Sequence, residues 1–527
     1  MWTGLSWFWS ESPPRTILEL ERTVLYLGGV LALLLVVRRR SFGAALGGLL
    51  AADVALCGHA LATRLVPDHV TSPTASLGFR LAGVFAYPNA LGITAVLGLL
   101  LAVGFVADSQ RVAVRAAAAA TTVPLALALY LSNSRGAWIA LAVGLAAAVA
   151  LTPARRQIVR PLVLLATVGA LAIWLVSRSR PVTEWNDPLA AVHDGHLLAA
   201  ATVALAVSAA AISAGRSRRM MLAALVAAAL AVVVAPSSPS PVTLAAAAPS
   251  GPIAPGAPEP GTTPTGRLFS TTSNSRREYW RVAMIDFRDH PIAGSGAGTF
   301  VREWYEHRRI RADVQDAHSL YLETLAELGV IGLGLLLWVL AVPVLAATRI
   351  RGKPFAAGAF GAYVAFAAHA AVDWDWELPA VTFGGIFCGA LLIVAARSER
   401  VPFVLDGRRR SSLLVLVLAL LTVSFVGLVG NQAEAEARAA ASRSDWKKAS
   451  EKARRASTWA PWSGQALVLQ ADAALAQDDM TAARSLLRRA VRADPHDSVL
   501  WARLALVTNG EESRLAHERA TMLNPLG

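Results

Sequence analysis

Residues 329–348 read GVIGLGLLLWVLAVPVLAAT, a run without charged side chains that is long enough to cross the apolar part of a bilayer as a helix. Similar runs lie near residues 17–37, 43–61, 89–107, 116–133, 136–151, 161–177, 196–214, 220–235, 355–372, 378–396 and 411–430. With 55% hydrophobic residues, 16% charged residues and a mean hydropathy of +0.48, a soluble globule would expose too much apolar surface. The sequence predicts an all-α polytopic membrane protein with about twelve transmembrane helices.

The formal charge of +13 does not indicate nucleic-acid binding, because the cationic residues form short clusters between apolar runs instead of one basic face. The clusters fall on every second connection: Arg38–Arg40, Arg111 with Arg115, Arg155–Arg160, Arg216–Arg219, Arg349–Lys353 and Arg397–Arg410. The positive-inside rule therefore predicts that both termini and residues 236–328 are extracytoplasmic.

The first run has no small-residue cleavage site behind it and is predicted to be an uncleaved anchor. The aromatic residues before it, Trp2, Trp7, Phe8 and Trp9, favour the membrane interface.

Four regions follow from this pattern. Residues 1–235 contain about eight spans, residues 236–328 form a large extracytoplasmic loop, residues 329–430 contain about four spans and residues 431–527 are polar. Within the loop, residues 236–266 are rich in Pro and Ala and indicate a flexible linker, whereas residues 267–328 are predicted to be helical.

An internal repeat of 34 residues is present after the last apolar run. The string Arg454-Arg455-Ala456 recurs as Arg488-Arg489-Ala490, and Pro461 recurs as Pro495. This period, with helical patterning on each side of the prolines, favours tetratricopeptide-like repeats that could bind a protein partner. The alternative is an ordinary helical hairpin with chance matches.

The most specific motif is His318-Ser319 followed by nine residues and Gly329-x-x-Gly332. Further strings are GVFAYPN at 83–89, SRGA at 134–137, Arg276 through Trp280, and HPIAGSG at 290–296. Together they resemble the O-antigen ligase and polymerase superfamily over residues 80–395, with the terminal repeats as an appendage that some members carry. The resemblance implies transfer of a glycan from a polyprenyl diphosphate, such as undecaprenyl diphosphate, in polysaccharide biosynthesis at the cell envelope.

Arginine suits a diphosphate leaving group, because its guanidinium stays charged and forms bidentate bonds to phosphate oxygens. Arg135 lies in a short turn at the predicted outer end of a span, and Arg276 matches the loop arginine of the superfamily. Arg277 is the neighbouring alternative. Each arginine could instead be a helix-end or solvated surface residue.

We predict that His318 is catalytic. Asp316 is a good helix N-cap, which would place His318 in the first turn, where the helix dipole favours a neutral imidazole and a nearby anion. Such an imidazole can orient an acceptor hydroxyl and take its proton. The alternative is a histidine that only caps the helix.

A second group of residues could form a glycan or acceptor site: Asn89, Trp280, His369, Asp373 and Asp375. Sugars bind aromatic faces and carboxylates. For residues 373–377, an interfacial tryptophan pair with solvated acids is the alternative. Cys57 and Cys388 lie in separate apolar runs and are predicted to be inert buried thiols.

The resulting prediction is a membrane glycosyltransferase that acts without metal or cofactor at the outer face of the cytoplasmic membrane. Its partners would be the lipid-linked donor, a glycan, lipid or protein acceptor, and membrane lipids. The motifs do not separate ligase from polymerase. Rival classes are a transporter or flippase, which usually shows two similar halves, and a non-catalytic scaffold.

Overall fold

The computed structural model describes residues 1–71, 76–153, 155–185, 188–215, 275–397 and 406–527. These residues are helical except for loops and one small antiparallel hairpin, in which Ser76–Leu77 pairs with Arg80–Leu81. The all-α class predicted from the sequence is confirmed. The predicted run 220–235 and linker 236–266 lie outside the described residues.

The α-helices are α1 Trp2–Leu5, α2 Pro13–Val36, α3 Phe42–Leu65, α4 Pro88–Asp108, α5 Val112–Ser132, α6 Arg135–Leu151, α7 Arg155–Ser177, α8 Arg180–Glu184, α9 Pro188–Ser213, α10 Arg276–Asp289, α11 Phe300–His307, α12 Leu320–Arg349, α13 Ala356–His369, α14 Pro379–Ala396, α15 Gly407–Ala441, α16 Trp446–Trp459, α17 Gly464–Leu475, α18 Met480–Ala493, α19 Ser498–Val507 and α20 Gly510–Leu523. Short 3₁₀ helices are Ser6–Phe8, Arg39–Ser41, Gly83–Phe85 and Asp375–Glu377.

Eight helices within the described residues are long and apolar enough to cross a membrane, namely α3, α4, α5, α7, α9, α12, α14 and α15. Helices α6 and α13 are apolar but shorter, and α2 coincides with the predicted run 17–37. The protein is thus a multi-pass membrane protein, and every predicted run within the described residues is helical.

The described chain forms two compact units. The first unit comprises Met1–Ala32, Ser273–Val339 and Val404–Gly527, and the second comprises Leu33–Thr272 and Leu340–Phe403.

In the second unit, α4 is the central helix, with 89% of its span buried by neighbouring helices. Small residues let these helices approach closely: a Cβ built on Gly104 would lie 3.0 Å from the Cα of Gly358, and one on Gly144 would lie 2.7 Å from the Gly361 carbonyl oxygen. Where such close contacts form between helices, side-chain size decides the packing, since hydrophobicity alone does not drive association in lipid.

The first unit contains the loop helices α10 and α11, whose core includes Val282, Phe300, Trp304 and Val314. It also contains the C-terminal helices. Helix α15 continues without a break from the apolar run 411–430 to Ala441, so the predicted boundary at 430 falls inside one helix. Helices α16 to α19 each begin after a residue whose side chain accepts a backbone hydrogen bond, namely Asp445, Ser463, Asp479 and Asp497. The tetratricopeptide interpretation stays a prediction.

Candidate functional site

Two motif strings that are separate in sequence bind each other in the first unit. The backbone N–H groups of Ser295 and Gly296 donate to the carbonyls of Ala326 and Glu327 at 3.3 and 2.9 Å, and Val330 N–H donates to Pro291 O at 3.0 Å. The HPIAGSG loop is therefore fixed along the end of the helical segment that follows His318.

Glycine is required at this junction. Gly294 has φ of 75°, and a Cβ there would lie 2.1 Å from backbone atoms of Glu327. Gly329 breaks α12 with φ of 66°, and a Cβ there would lie 2.1 Å from the Ile292 carbonyl oxygen. Both positions demand a left-handed backbone and leave no room for a side chain. These motif glycines therefore position the chain at the junction.

Glu327 and two indoles complete the junction. The Glu327 carboxylate accepts hydrogen bonds from Gly298 N–H at 2.8 Å and Phe300 N–H at 3.0 Å, at the start of α11. Trp2 Nε1 donates to Leu328 O at 3.0 Å, and Trp9 Nε1 donates to Gly294 O at 3.1 Å. The sequence analysis did not single out Glu327 or these contacts, and it assigned Trp2 and Trp9 only to the membrane interface.

His318 precedes α12 and does not lie in its first turn. The helix begins at Leu320, and Ser319 Oγ accepts a hydrogen bond from Leu322 N–H at 3.4 Å. The prediction that Asp316 caps this helix is therefore wrong: its carboxylate accepts from His318 N–H at 3.2 Å and lies 2.8 Å from His318 Nδ1. His318 itself has a left-handed φ of 53°. Asp316 is three residues too early to reach the helix, so it orients the histidine instead.

The Tyr279 ring packs against the His318 ring, with the two ring centroids 5.0 Å apart. Burial raises the pKa of the Tyr279 phenol, while a hydrogen bond with Ser275 opposes the rise. The charge of Arg276, one turn earlier in α10, also lowers this pKa, and the charge of Asp316 raises it. The structure thus brings Arg276, Tyr279, Asp316 and His318 together. Tyr279 was missed by the sequence analysis.

The two neighbouring arginines of α10 differ in environment. Arg276 is half-buried and its charge lowers the pKa of Tyr279, whereas Arg277 is exposed. Trp280, one turn after Arg276, is half-buried, and its indole Nε1 is buried without a hydrogen-bond partner among the described residues. Arg281 has a structural role, because it pairs with Glu278 at 2.6 Å and donates to His307 O.

In the second unit, Asn89 and Asp373 bind each other directly. Asn89 Nδ2 donates to Asp373 Oδ2 at 2.6 Å, and the Tyr87 hydroxyl donates to Asp373 Oδ1 at 2.6 Å. Arg80 Nη2 donates to Asn89 Oδ1 at 2.6 Å, and its Nε donates to Ser132 O at 3.1 Å. Arg80 is almost completely buried. The sequence analysis did not single out Arg80.

His369 and Asp375 form a second buried pair, with Nδ1 3.1 Å from Asp375 Oδ2. His369, Asp373 and Asp375 are each about 1% exposed. The alternative of solvated acids at an interface is therefore wrong for both aspartates, because the neighbouring helices cover them. Carboxylates buried to this extent need partners, and the histidine, asparagine and tyrosine supply them.

Arg135 is the first residue of α6 and is half-buried. Ser134 caps the helix by accepting a hydrogen bond from Ala137 N–H at 3.3 Å. A Cβ built on Gly136 would lie 3.1 Å from His369 Nε2, so the start of α6 packs directly on the His369 ring. The buried His369–Asp375 pair therefore supports the helix end that carries Arg135.

The fold and the site define the class of this protein. It is a helical multi-pass membrane protein in which a histidine, a tyrosine and an arginine are grouped near a glycine-rich loop. Residues 189–337 match the family model described as O-antigen ligase. This stretch contains Arg276, Trp280, His318 and the Gly-x-x-Gly motif, and it confirms the resemblance to the O-antigen ligase superfamily. The match covers less than a third of the chain and does not include Arg135, Asn89 or Asp373. No curated protein matches the chain.

Proposed function

We propose that this protein transfers a glycan from a polyprenyl diphosphate to an acceptor hydroxyl at the outer face of the cytoplasmic membrane. The observation that carries the proposal is the environment of His318: its Nδ1 is paired with Asp316, its ring lies against Tyr279, and the charge of Arg276 is close by. The family match supports glycan transfer as the reaction class.

In this mechanism the acceptor oxygen forms a bond to the anomeric carbon as the bond from that carbon to the diphosphate oxygen breaks. The acceptor proton goes to His318. When Nδ1–H donates to Asp316, the basic lone pair of the neutral ring is on Nε2, so Nε2 is the proton acceptor. The electron pair of the broken bond stays on the diphosphate.

Arg276 and Arg135 are assigned to the negative charge of the departing diphosphate. A guanidinium forms bidentate, charge-assisted bonds with phosphate oxygens, and this can replace a divalent cation at a leaving group. Trp280 supplies an indole N–H without a partner among the described residues, suited to a sugar or phosphate oxygen. Asn89, His369, Asp373 and Asp375 are assigned to positioning. Asn89 is hydrogen-bonded to Asp373, and His369 is hydrogen-bonded to Asp375 and packs on the start of α6.

The decisive experiment is in vitro transfer by the purified full-length protein, with a defined polyprenyl-diphosphate glycan as donor and lipid, peptide and glycan acceptors in parallel. Transfer to a lipid or protein identifies a ligase, and elongation of the glycan identifies a polymerase. The assay is repeated after treatment with a chelator, and we expect transfer to continue. Lack of transfer to every acceptor, with donor carried across vesicles instead, would favour a flippase.

We further propose that the C-terminal helices are extracytoplasmic and bind a protein partner. A reporter enzyme fused near residue 470 tests this placement, and activity of a cytoplasmic reporter there would contradict it.

A further inference from the structure

Three side chains of the second unit that have no part in the proposed reaction converge at one place. Asp68 Oδ1 lies 2.8 Å from His196 Nε2, and Asp68 Oδ2 lies 3.0 Å from His69 Nδ1. The ligand atoms of all three residues lie within 4.8 Å of one another. Asp68 and His69 follow the end of α3, whereas His196 lies in α9, so the cluster joins distant parts of the sequence.

The backbone around this cluster is held by other contacts. A Cβ built on Gly195 would lie 2.4 Å from Leu65 O, so the start of α9 touches the end of α3 directly. Arg64 is fully buried, donates to Val182 O at 2.9 Å, and lies over the Trp185 ring at 4.5 Å. The two segments that carry the three side chains therefore meet without any help from those side chains, and the ligand atoms are brought together in advance.

We propose that Asp68, His69 and His196 bind a divalent transition-metal ion, with zinc as the best fit. Two imidazole nitrogens and one carboxylate oxygen form a ligand set that favours zinc and related transition metals over magnesium or calcium, which prefer oxygen ligands alone. Tetrahedral zinc with bonds near 2.0 Å places its ligand atoms about 3.3 Å apart. The separation of 2.8 Å from Asp68 Oδ1 to His196 Nε2 and that of 3.0 Å from Asp68 Oδ2 to His69 Nδ1 are within a few tenths of an ångström of this value. They involve different carboxylate oxygens, and all ligand atoms lie within 4.8 Å of one another, so the side chains need to rotate to place one oxygen and both nitrogens around the ion.

The side chains have room for this adjustment and for a fourth ligand. The His69 side chain is 70% exposed and that of His196 is 38% exposed, whereas Asp68 is only 15% exposed. The half-buried carboxylate of Asp68 would be the fixed ligand, the two imidazoles would close around the ion, and water would complete the tetrahedron. The bound ion would cross-link the segment after α3 to α9. This role is independent of the proposed glycan transfer.

The test uses full-length protein in detergent, purified with a tag that contains no histidine and stripped with a chelator. Zinc is the probe, and its bound amount is measured by elemental analysis at graded free concentrations. We expect the wild type to bind one equivalent of zinc. His196→Ala and His69→Ala should each weaken zinc binding by more than about tenfold, because mutation of residues that only support the ligands of a metal site already lowers metal affinity by about tenfold or more. Zinc should also raise the melting temperature of the wild type by about 2 °C or more.

His193→Ala is the matched control, since His193 is an exposed histidine of the same helix and lies outside the cluster. It should bind zinc and gain thermal stability like the wild type. Equal zinc binding by wild type and His196→Ala would overturn the proposal and leave Asp68 and His196 as a simple hydrogen-bonded pair. Equal loss in His193→Ala would overturn it as well, by indicating adventitious histidine binding. If His196→Ala does not fold, His69→Ala decides, because its side chain is exposed.

Discussion

The His318–Asp316 pair of the first unit and the His369–Asp375 pair of the second unit are built from the same groups in different surroundings. His318 and Asp316 lie in a turn with a left-handed histidine, and the His318 side chain is 13% exposed beside Tyr279. His369 is the last residue of α13 and Asp375 begins the next 3₁₀ helix; both side chains are almost completely covered, and His369 packs on Gly136. An imidazole must reach the hydroxyl whose proton it takes, so we propose chemistry for the more exposed first pair and positioning for the covered second pair.

The largest expected effect is at His318. The variant His318→Ala should bind donor normally and transfer glycan roughly a hundred- to a thousand-fold more slowly, which corresponds to about 3 to 4 kcal/mol of transition-state stabilisation. Donor affinity and single-turnover rate are measured separately. His517→Ala, an exposed histidine in α20, is the control and should keep both. Near-normal transfer by well-expressed His318→Ala would remove the catalytic assignment.

The next largest expected effect is on donor binding, and it distinguishes the two adjacent arginines Arg276 and Arg277. Arg276→Ala should weaken donor binding roughly ten- to a hundred-fold, because a charge-assisted hydrogen bond contributes about 1.5 to 3 kcal/mol. Arg277→Ala should change it by less than about twofold, since that side chain is exposed and solvated. Direct binding of a labelled donor measures both variants.

Arg135 is tested in the same binding assay. We expect Arg135→Ala to resemble Arg276→Ala, and Arg135→Lys to recover little, because one ammonium does not reproduce a bidentate fork. A greater loss at Arg277 than at Arg276 would reverse the assignment within α10.

At the buried network of the second unit, the expected effect is on stability. Asp373→Ala removes the acceptor for the Tyr87 hydroxyl and the Asn89 amide, and a buried donor left without a partner costs about 1 to 3 kcal/mol. The melting temperature in detergent should fall, whereas that of the exposed control Asp289→Ala should not. If both variants melt like the wild type, the network is not a structural support.

The last expected effect is a pH dependence in the loop helices. Burial, with the charge of Glu303 adding to it, raises the pKa of Asp286 from 3.8 to about 8, and Ser295 Oγ donates to this carboxyl at 2.8 Å. The folded state therefore holds a proton that the unfolded state loses between these two values, so this group's contribution to stability falls as pH rises through that window.

The variant Asp286→Asn mimics the protonated group and should reduce the fall in melting temperature between pH 5 and about 8. A scan of melting temperature against pH for both proteins measures the difference. An unchanged slope would mean that Asp286 is not the group that titrates.

How much of the candidate site the sequence predicted varies by residue. The motif spacing singled out His318 and the superfamily resemblance singled out Arg276, with Arg277 as its alternative; in the structure Tyr279 packs on His318 and lies one turn after Arg276. The role of Asp316 was wrong, because a cap preference is shared by Asp316 and Ser319 and only the actual start of α12 decides between them. Tyr279, Glu327 and Arg80 were not predicted, since nothing in their local sequence marks the partners that they contact.

The sequence by itself determined the helices and the membrane class, because the length and apolar content of a run are local properties and a helix satisfies its backbone hydrogen bonds within the segment. Only the tertiary structure decided that the HPIAGSG loop binds the end of the His318 segment, that Asp373 is buried against Asn89, and that Asp68 meets His196. These pairs join residues far apart in the chain, and their formation depends on how whole helices pack, which no local pattern encodes.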